Sequence, residues 1–590
     1  MEFIRNLPVT QRLFKQNSNE ASIVNSLPRK SIALRTLIFL GLLWFIVFFL
    51  VFPNVSTIIT VFWQDGAFTF RAFDRIFSSD RAVRSLRNSF LLAPVLSVTV
   101  GFVGVSLVLI TDYFKIAGAK ILKLGYLTTL LYGGIVLVSG YRFLYEQNGF
   151  ITNILVAIFP NFNTGWFTGF WAVLFVMTFA ATGNHMIFIR NALRGVDYQT
   201  IEAARNMGAS QSYILRRVVL PVLLPSITAV TLFTFLAGLS ALAAPQLVGG
   251  RDFQTINSMI LSFAQMPGSR DLAALMALFL GLSSFLLIGA LAWLEKRGHY
   301  LSVSKVKTEL VKQKINNPIL NVLAHVYAYV LFLIYVAPVV FIVLFSFTDP
   351  ATIALRQLSV SALTLDNYIM VFSDPSAYRP LLTSGIYAFL ASFGVAALVL
   401  LVCRVITKIK GKLSTFIEYA FMIPWLLPTT LIALGLINAF GRPRWFMFNQ
   451  AITGTMGIMV LGYLIICIPF TLRMTRAAFF SIDNTLEDAA KNLGANSFYT
   501  FFRVIFPVIL PSVMAIFALN FNRLLTEFDM SVFLFHPLAR PLGVQIRNLT
   551  LDGAGDNTAL TFVYAVFMMI VSAIVLYLVY GRGGSRDIRE

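Results

Sequence analysis

Two acidic residues near the end of a long apolar segment are side chains whose types and spacing suggest chemistry. Glu527 and Asp529 follow Arg523 in a stretch otherwise dominated by apolar residues. Charged side chains in a segment that crosses lipid are costly, which makes them functional candidates by default. A carboxylate pair near the outer end of the segment would attract a cation, so we place Glu527 and Asp529 on a possible substrate path.

An internal ion pair is the alternative interpretation of the same residues. Arg523 and Glu527 are four positions apart and would lie on one face of a continuous helix. In a similar, earlier segment, Ala241 and Ala243 occupy the corresponding positions and carry no charge. Any solute site built on the acidic pair would therefore be asymmetric.

Several kinds of catalytic and metal-binding chemistry have no support in the sequence. No segment matches the phosphate-binding pattern G-x-x-x-x-G-K-[ST], and the nearest, at Gly411 and Lys412, lacks the upstream glycine. Cys403 and Cys467 have no metal-ligand spacing, and four histidines are too few and too scattered to suggest a cluster. We expect no catalytic residue, no metal site and no cofactor.

The strongest pattern in the sequence is a segment that occurs twice. EAARNMGASQSYILRRVVLPVLLPS (202–226) recurs as DAAKNLGANSFYTFFRVIFPVILPS (488–512), at a constant offset of 286 residues (488 minus 202). Helix formers and acidic residues begin each copy, which suits a helix N-terminus. Gly208 and Gly494 then end that helix, and Pro221 and Pro507 end or kink the amphipathic stretch that follows. Each copy predicts a short helix, a turn and a second short helix.

The rest of the chain has the composition of a membrane protein. Of 590 residues, 58% are hydrophobic and only 12% are charged, about half the charged fraction of a soluble domain. Apolar segments in lipid must satisfy their own peptide groups, so we expect helices. The net charge of +20 fits basic residues held on the cytoplasmic side of a bilayer, and we expect no nucleic acid partner.

Apolar windows long enough to cross about 30 Å of hydrocarbon predict twelve membrane-spanning helices. Each repeated segment falls between the fourth and fifth spans of its half. The predicted spans lie near residues 33–52, 88–111, 122–142, 165–189, 222–247, 271–294, 321–347, 381–403, 414–438, 452–472, 511–534 and 558–580.

Lys and Arg in alternate connections predict the orientation of these spans. If the spans alternate, both repeated segments and both termini lie on the basic, cytoplasmic side, and the arginine-rich outer connection 53–87 is the one exception. Six spans in the first half give the second half the same orientation, so we predict an all-α integral membrane protein of two parallel six-helix repeats. The predicted parts are a cytoplasmic arm (1–31), a first transmembrane domain (32–295), a cytoplasmic linker (296–318), a second transmembrane domain (319–580) and a cytoplasmic tail (581–590).

The repeated segment resembles the E-A-A-x-x-x-G signature of the inner-membrane permease subunits of binding-protein-dependent ABC importers. In the second copy aspartate replaces glutamate and phenylalanine replaces leucine, which keeps the charge and the apolar character. The matching residues are Glu202, Ala203, Ala204, Gly208, Val218, Leu220 and Pro221 in the first copy, and Asp488, Ala489, Ala490, Gly494, Val504, Phe506 and Pro507 in the second.

This resemblance implies partners and a location. Each repeated segment would be a coupling loop that docks on one of two separate ATP-binding-cassette ATPase subunits, so the chain itself would not be an enzyme. An extracytoplasmic solute-binding protein would deliver the solute to a multi-pass permease in a bacterial inner membrane. The fused layout and the phrase TLEDAAKNLGAN are most similar to the ferric-iron permeases. Thiamine, polyamine and phosphonate permeases remain open, as does, more remotely, a twelve-span secondary transporter.

Overall fold

The computed structural model describes the chain apart from residues 1–28, 65, 131, 298–309, 357–358, 410, 448 and 582–590. The predicted arm and tail therefore lie almost wholly outside the described residues, as does the middle of the predicted linker. In the described part, helices dominate, and the strands β1 (Trp63–Gln64) and β2 (Ala67–Phe68) form one small antiparallel hairpin.

The first half consists of helices joined by short turns. Three π-helical segments, Ile46–Val51, Leu109–Tyr113 and Leu215–Val219, extend or join the α-helices, and Leu127–Leu130 and Thr164–Trp166 are 3-10 turns. The α-helices are α1 (Arg29–Phe45), α2 (Phe52–Phe62), α3 (Arg71–Phe77), α4 (Asp80–Val108), α5 (Ala119–Tyr126), α6 (Gly134–Tyr145), α7 (Phe150–Ile158), α8 (Gly169–Leu193), α9 (Tyr198–Asn206), α10 (Gln211–Ile214), α11 (Leu220–Leu239), α12 (Ala243–Val248), α13 (Ile256–Gln265) and α14 (Arg270–Arg297).

The second half follows the same order of spans. Its π-helical segments are Phe501–Ile505 and Tyr577–Gly581, and Val360–Ala362 and Trp445–Met447 are 3-10 turns. The α-helices are α15 (Pro318–Ser346), α16 (Pro350–Leu355), α17 (Asp366–Ser373), α18 (Pro375–Lys408), α19 (Lys412–Leu426), α20 (Thr429–Phe440), α21 (Met456–Phe480), α22 (Asn484–Asn492), α23 (Ser497–Thr500), α24 (Phe506–Leu525), α25 (Ser531–Leu534), α26 (Leu542–Asp552) and α27 (Gly555–Leu576).

By length and composition, the described residues contain ten helices able to cross a bilayer, or up to twelve if two bent helix pairs each count as one span. This confirms the predicted fold class, and we number the spans 1 to 12 with the bent pairs as spans 3 and 9. The ten are Thr36–Phe62, Asp80–Tyr113, Gly169–Leu193, Gln211–Leu239, Arg270–Leu287, Pro318–Ser346, Pro375–Lys408, Met456–Phe480, Ser497–Leu525 and Gly555–Val579.

Spans 3 and 9 are not the simple helices that the sequence predicts near 122–142 and 414–438. Span 3 bends by 113° before α6, and span 9 bends by 106° before α20. Pro428 precedes α20, and a proline forces the residue before it out of the helical region. In span 3 the bend is at Gly133, which has an extended backbone before α6.

Spans 5 and 11 end earlier at their C-terminal ends than the predictions 222–247 and 511–534. The helices end at Leu239 and Leu525, and the residues that follow form the separate short helices α12 and α25. The carbonyl groups at the end of span 5 are taken by side chains of the segment beginning at Thr255. Just beyond the helix end, the hydroxyl of Thr255 donates to the carbonyl of Ala241 (2.7 Å).

The two halves interlock through their first spans. The α2 helix of span 1 packs on α20 of span 9, and α15 of span 7 packs on α5 and α6 of span 3. The hydroxyl of Tyr126 donates to the carbonyl of Ala328 in the other half (2.7 Å), and both residues are buried. One large apolar core therefore includes side chains of both halves.

Candidate functional site

The two repeated segments fold into equivalent loops: α9 and α10 in the first, α22 and α23 in the second. Each first helix begins at an aspartate that caps it. The carboxylate of Asp197 accepts from the N–H of Gln199 (3.1 Å), and that of Asp483 accepts from the N–H of Thr485 (2.9 Å). The equal capping bonds give both helices the same start.

A glycine in the left-handed region ends each first helix, as predicted. The φ angles of Gly208 and Gly494 are 84° and 81°. The N–H of Gly208 donates to the carbonyl of Arg205, and that of Gly494 to the carbonyl of Lys491, both at 2.9 Å. A side chain at either position would strain the backbone, because only glycine adopts this conformation without cost.

The second helix of each loop continues into the next span, so Pro221 and Pro507, predicted to end or kink it, do not end it. Spans 5 and 11 begin at Gln211 and Ser497, within the loops themselves. Each proline lies in the first turn of α11 or α24, directly after a π-helical turn. Proline donates no backbone hydrogen bond, and the π-helical turn before it accommodates that loss within a helix that continues. Each loop is therefore joined rigidly to a span.

Large apolar side chains are exposed at the same places in both loops. Met207 is 81% exposed and Leu493 is 88% exposed. Tyr213 and Tyr499 are each 56% exposed. Exposed large apolar side chains at matching places in both loops are candidates for contact with a partner protein.

The remaining residues of the signature divide into exposed and buried positions in the same way in both loops. In each copy the third residue of the signature is buried. The first two residues and the proline are exposed. The exposed residues are Glu202, Ala203, Pro221, Asp488, Ala489 and Pro507, and the buried ones are Ala204 and Ala490.

Ion pairs hold the second loop to its own half, a contact that the sequence did not predict. The carboxylate of Glu487 in α22 accepts from Arg404 (Nη1–Oε2 3.0 Å) and from Lys408, both near the end of span 8. Burial alone would raise the pKa of Glu487, but the hydrogen bonds from these two residues outweigh it and lower the pKa to about 2. The buried Ile201 occupies the corresponding place in the first loop (487 minus 286).

An arginine at the end of the span before each loop is also paired. In span 4, Arg190 bonds Asp112 of span 2 (Nε–Oδ1 3.1 Å), and Lys123 of span 3 bonds the same carboxylate (3.2 Å). In span 10, Arg476 instead pairs with Glu418 of span 9. The equivalent arginines are therefore fixed by carboxylates from different helices.

The acidic pair of the possible substrate path lies after span 11 and not within it. Because the helix ends at Leu525, Arg523 and Glu527 do not share a helix, and they form no salt bridge in the described part of the chain. The Glu527 carboxylate accepts from the N–H groups of Met530 (2.8 Å) and Ser531 (3.0 Å) and so caps α25. Asp529 makes no hydrogen bond or salt bridge to another described residue.

The segments after spans 5 and 11 meet the bends of the opposite halves. The hydroxyl of Thr430, beside the bend of span 9, donates to Asn257 (2.8 Å), and the Asn257 amide donates to the carbonyl of Ser240. At the bend of span 3, a Cβ on Gly133 would lie 2.7 Å from the hydroxyl of Thr526. Glu527 and Asp529 are thus next to the contact between the halves.

Among the described residues, no group of three or more His, Cys, Asp or Glu side chains could hold a metal ion. The sequence predicts the two matched loops and an acidic pair within span 11, and the structure instead places that pair after span 11, beside the contact between the halves. The ion pairs of Glu487, Arg190 and Arg476 had no signal beyond the charges themselves.

Comparison with known proteins identifies the repeated unit. The family described as binding-protein-dependent transport system inner membrane component matches residues 24–299 and 403–582, one stretch in each half. The chain is 35% identical over 546 residues to "Probable ABC transporter permease protein y4fN" of Sinorhizobium fredii, covering 92% of this chain and 96% of that protein.

Two more distant similarities concern proteins whose solute is named. "Ferric transport system permease protein FbpB" of Actinobacillus pleuropneumoniae is 23% identical over 560 residues, covering 93% of this chain and 78% of that protein. A crystal structure of a bacterial ABC transporter for the acidic polysaccharide alginate matches 46% of this chain and 98% of its own, with 18% identity and a TM-score of 0.38.

Proposed function

The chain belongs to the family of binding-protein-dependent transport system inner membrane components, as a fusion of two permease domains, and we propose that its two repeated loops couple it to two separate ATPase subunits. It is the permease subunit of an ABC importer and a multi-pass membrane protein. In the proposal, ATP hydrolysis belongs to the partner subunits, which dock on the cytoplasmic side where both termini lie. An extracytoplasmic binding protein delivers the solute to the opposite side.

The match between the two loops is the observation that carries this proposal. Both have the same aspartate cap, the same glycine turn and the same exposed apolar side chains, Met207 and Leu493. Both also continue into a span without a break in the helix. A rigid connection of this kind would convert movement of an ATPase subunit into rotation of spans 5 and 11.

Ferric iron is the solute that we propose, delivered to a path that passes Glu527 and Asp529. The Asp529 carboxylate makes no hydrogen bond or salt bridge to another described residue, and carboxylate oxygens suit hard cations. A ferric permease is similar along most of the chain, although at only 23% identity. Thiamine and polyamines are also cations and would use the same carboxylates, whereas a phosphonate would be repelled by them.

Replacing the turn glycines tests the coupling role. We expect Gly208→Asp combined with Gly494→Asp to abolish uptake and the stimulation of ATPase activity, because each change strains the turn and adds a charge to the docking surface. Gly454→Asp is the matched control, since Gly454 also has a positive φ of 78° and open space around it but lies between spans 9 and 10 on the opposite side. If the double variant transports and stimulates ATPase like the control, the coupling role is wrong.

Solute identity is tested first on the binding protein and then on the path. We expect the partner binding protein to retain ferric iron and not thiamine, a polyamine or a phosphonate. We also expect Asp529→Asn to lower iron uptake while the ATPase subunits still assemble, and Asp366→Asn, an exposed aspartate in α17, to leave uptake unchanged. Binding of another solute, or full uptake by Asp529→Asn, would contradict the iron path.

A further inference from the structure

The last part of the segment between the halves lies against the cytoplasmic side of the first half. We call residues 310–317 the strap. The N–H of Gln313 donates to the carbonyl of Tyr113 (2.8 Å), and the N–H of Lys115 donates to the carbonyl of Gln313 (2.9 Å). The Lys312 ammonium donates to the carbonyl of Thr111 (2.6 Å). The strap is thus paired with the turn between spans 2 and 3 as a short parallel bridge.

The strap also bonds both helices of the first loop. The side-chain amide of Gln211, in α10, donates to the carbonyl of Lys314 (2.8 Å) and accepts from the N–H of Asn316 (3.4 Å). Arg205, in α9, donates to the side-chain oxygen of Gln313, which is only 4% exposed. Gln211 of the loop therefore bonds two backbone groups of the strap. Gln313 of the strap accepts a hydrogen bond from Arg205 of the loop.

The strap runs directly into span 7, the first span of the second half. Asn317 caps α15 by accepting from the N–H groups of Ile319 (2.9 Å) and Leu320 (3.2 Å). The α15 helix packs on α5 and α6 of the first half and on α27 of the second. Asn316, which bonds Gln211, is directly followed in the sequence by Asn317, which caps the first helix of span 7.

The second loop uses the corresponding positions differently. Ser497 stands at the place of Gln211 (497 minus 286), and Lys491 stands at the place of Arg205 (491 minus 286). Lys491 pairs with Glu487 (3.4 Å) and Asp488 (3.3 Å) of its own helix. The residues that bond the strap are therefore particular to the first copy of the repeat.

We propose that the strap positions the first coupling loop, with Gln211, Arg205 and Gln313 as positioning residues. They hold α9 and α10 in a fixed relation to the turn between spans 2 and 3 and to span 7. A movement of the first loop is then passed to a span of the second half as well as to span 5. This proposal rests on the coupling role proposed above for the loops.

Two identical insertions at different places test the strap. A six-residue Gly-Ser insertion between Asn316 and Asn317 separates the strap from span 7. The same insertion between residues 303 and 304 leaves every strap bond and its junction with span 7 in place. The readout is uptake per ATP hydrolysed, in liposomes that contain the chain with its ATPase subunits and receive the binding protein. We expect a several-fold lower ratio only for the insertion after Asn316.

A point variant keeps the test valid if that insertion fails to fold. Gln211→Ala should lower uptake per ATP by about three- to tenfold, the effect of losing a hydrogen bond of ordinary strength, while ATPase association is retained. Gln254→Ala removes a half-buried glutamine side chain that bonds the carbonyl of Gly250, after span 5 and away from the strap, and should leave the ratio unchanged. Equal ratios for Gln211→Ala, Gln254→Ala and the unaltered chain would overturn the strap proposal. Absence of ATP-driven uptake by the unaltered chain would overturn the proposed function instead.

Discussion

Arg190 and Arg476 occupy the same place in the two halves, seven residues before the capping aspartate of each loop (197 minus 190). The partner of Arg190 is Asp112 on span 2, and the partner of Arg476 is Glu418 on span 9. The helices after the two bends begin at Gly134 and Thr429, an offset of 295 residues (429 minus 134). With this offset, Glu418 of span 9 corresponds to Lys123 of span 3. The side chain at this position is therefore acidic in the second half and basic in the first. Each half keeps the arginine and supplies its carboxylate from a different helix.

Exchange of the charges of Glu418 and Arg476 tests whether this ion pair stabilises the chain. Glu418→Arg or Arg476→Glu alone should destabilise the chain, because each leaves two like charges in contact near the membrane surface. The double variant Glu418→Arg with Arg476→Glu should regain much of the loss, as measured by the thermal unfolding midpoint in detergent. A double variant no more stable than the two single variants would show that the ion pair does not stabilise the chain.

The contribution of the Glu487 ion pairs to stability depends on pH in a predictable direction. Its pKa is lowered from 4.5 to about 2, so its contribution to stability is fully present above about pH 4.5 and is lost as the pH falls toward 2. We expect Glu487→Gln to lower the thermal midpoint by the same amount at every pH from 8 to 5, and by less at pH 3.5. A difference that changes between pH 8 and pH 6 would contradict the assignment.

At this scale the sequence predicted the residues of the repeated loops and missed the ion pair of Glu487, a residue that does not repeat. The turn glycines stand at equal places in both copies and have a backbone requirement that the structure confirms. Ile201 occupies the position of Glu487 in the other copy, so comparison of the two copies does not identify Glu487 as a functional residue. Its partners Arg404 and Lys408 lie on another helix, and their proximity depends on the packing of span 8.

At the scale of elements, the bends of spans 3 and 9 bring each half into contact with the segment after the fifth span of the other. Hydropathy predicted the existence of these spans but not their bends, because a window average does not distinguish one apolar helix from two. Pro428 and Gly133 were available as signals, yet prolines also occur inside continuous helices here, as Pro225 does in span 5. The outcome depends on which tertiary contacts take the freed backbone groups.

Thr430→Val tests the contact beside the bend of span 9. The change keeps the shape of the side chain but removes the bond to Asn257, and both residues are buried. We expect a loss of about 1–3 kcal/mol in stability, the cost of leaving a buried acceptor unsatisfied, seen as a lower thermal midpoint. Thr429→Val is the matched control, since Thr429 makes no side-chain hydrogen bond to another described residue. Equal midpoints for the two variants would contradict the role of this contact.

At the scale of the whole molecule, the two halves form one interlocked body and present two loops on one side. The number of spans and their division into two repeats could be predicted, because both follow from local hydropathy and a constant offset. The exchange of first spans between halves could not, since an apolar helix surface does not specify which neighbour it packs on. The strap was predicted only as a linker, and its pairing with Gln211 and Arg205 depends on long-range contacts.

The mass of the intact complex tests the central claim most directly. The chain purified with its ATPase subunits should carry two of them, and Met207→Glu combined with Leu493→Glu should carry none, because the charges replace the exposed apolar side chains of both loops. Each single variant should carry one, and Val360→Glu, at a side chain 87% exposed outside the loops, should carry two. Two ATPase subunits on the double variant would contradict the account.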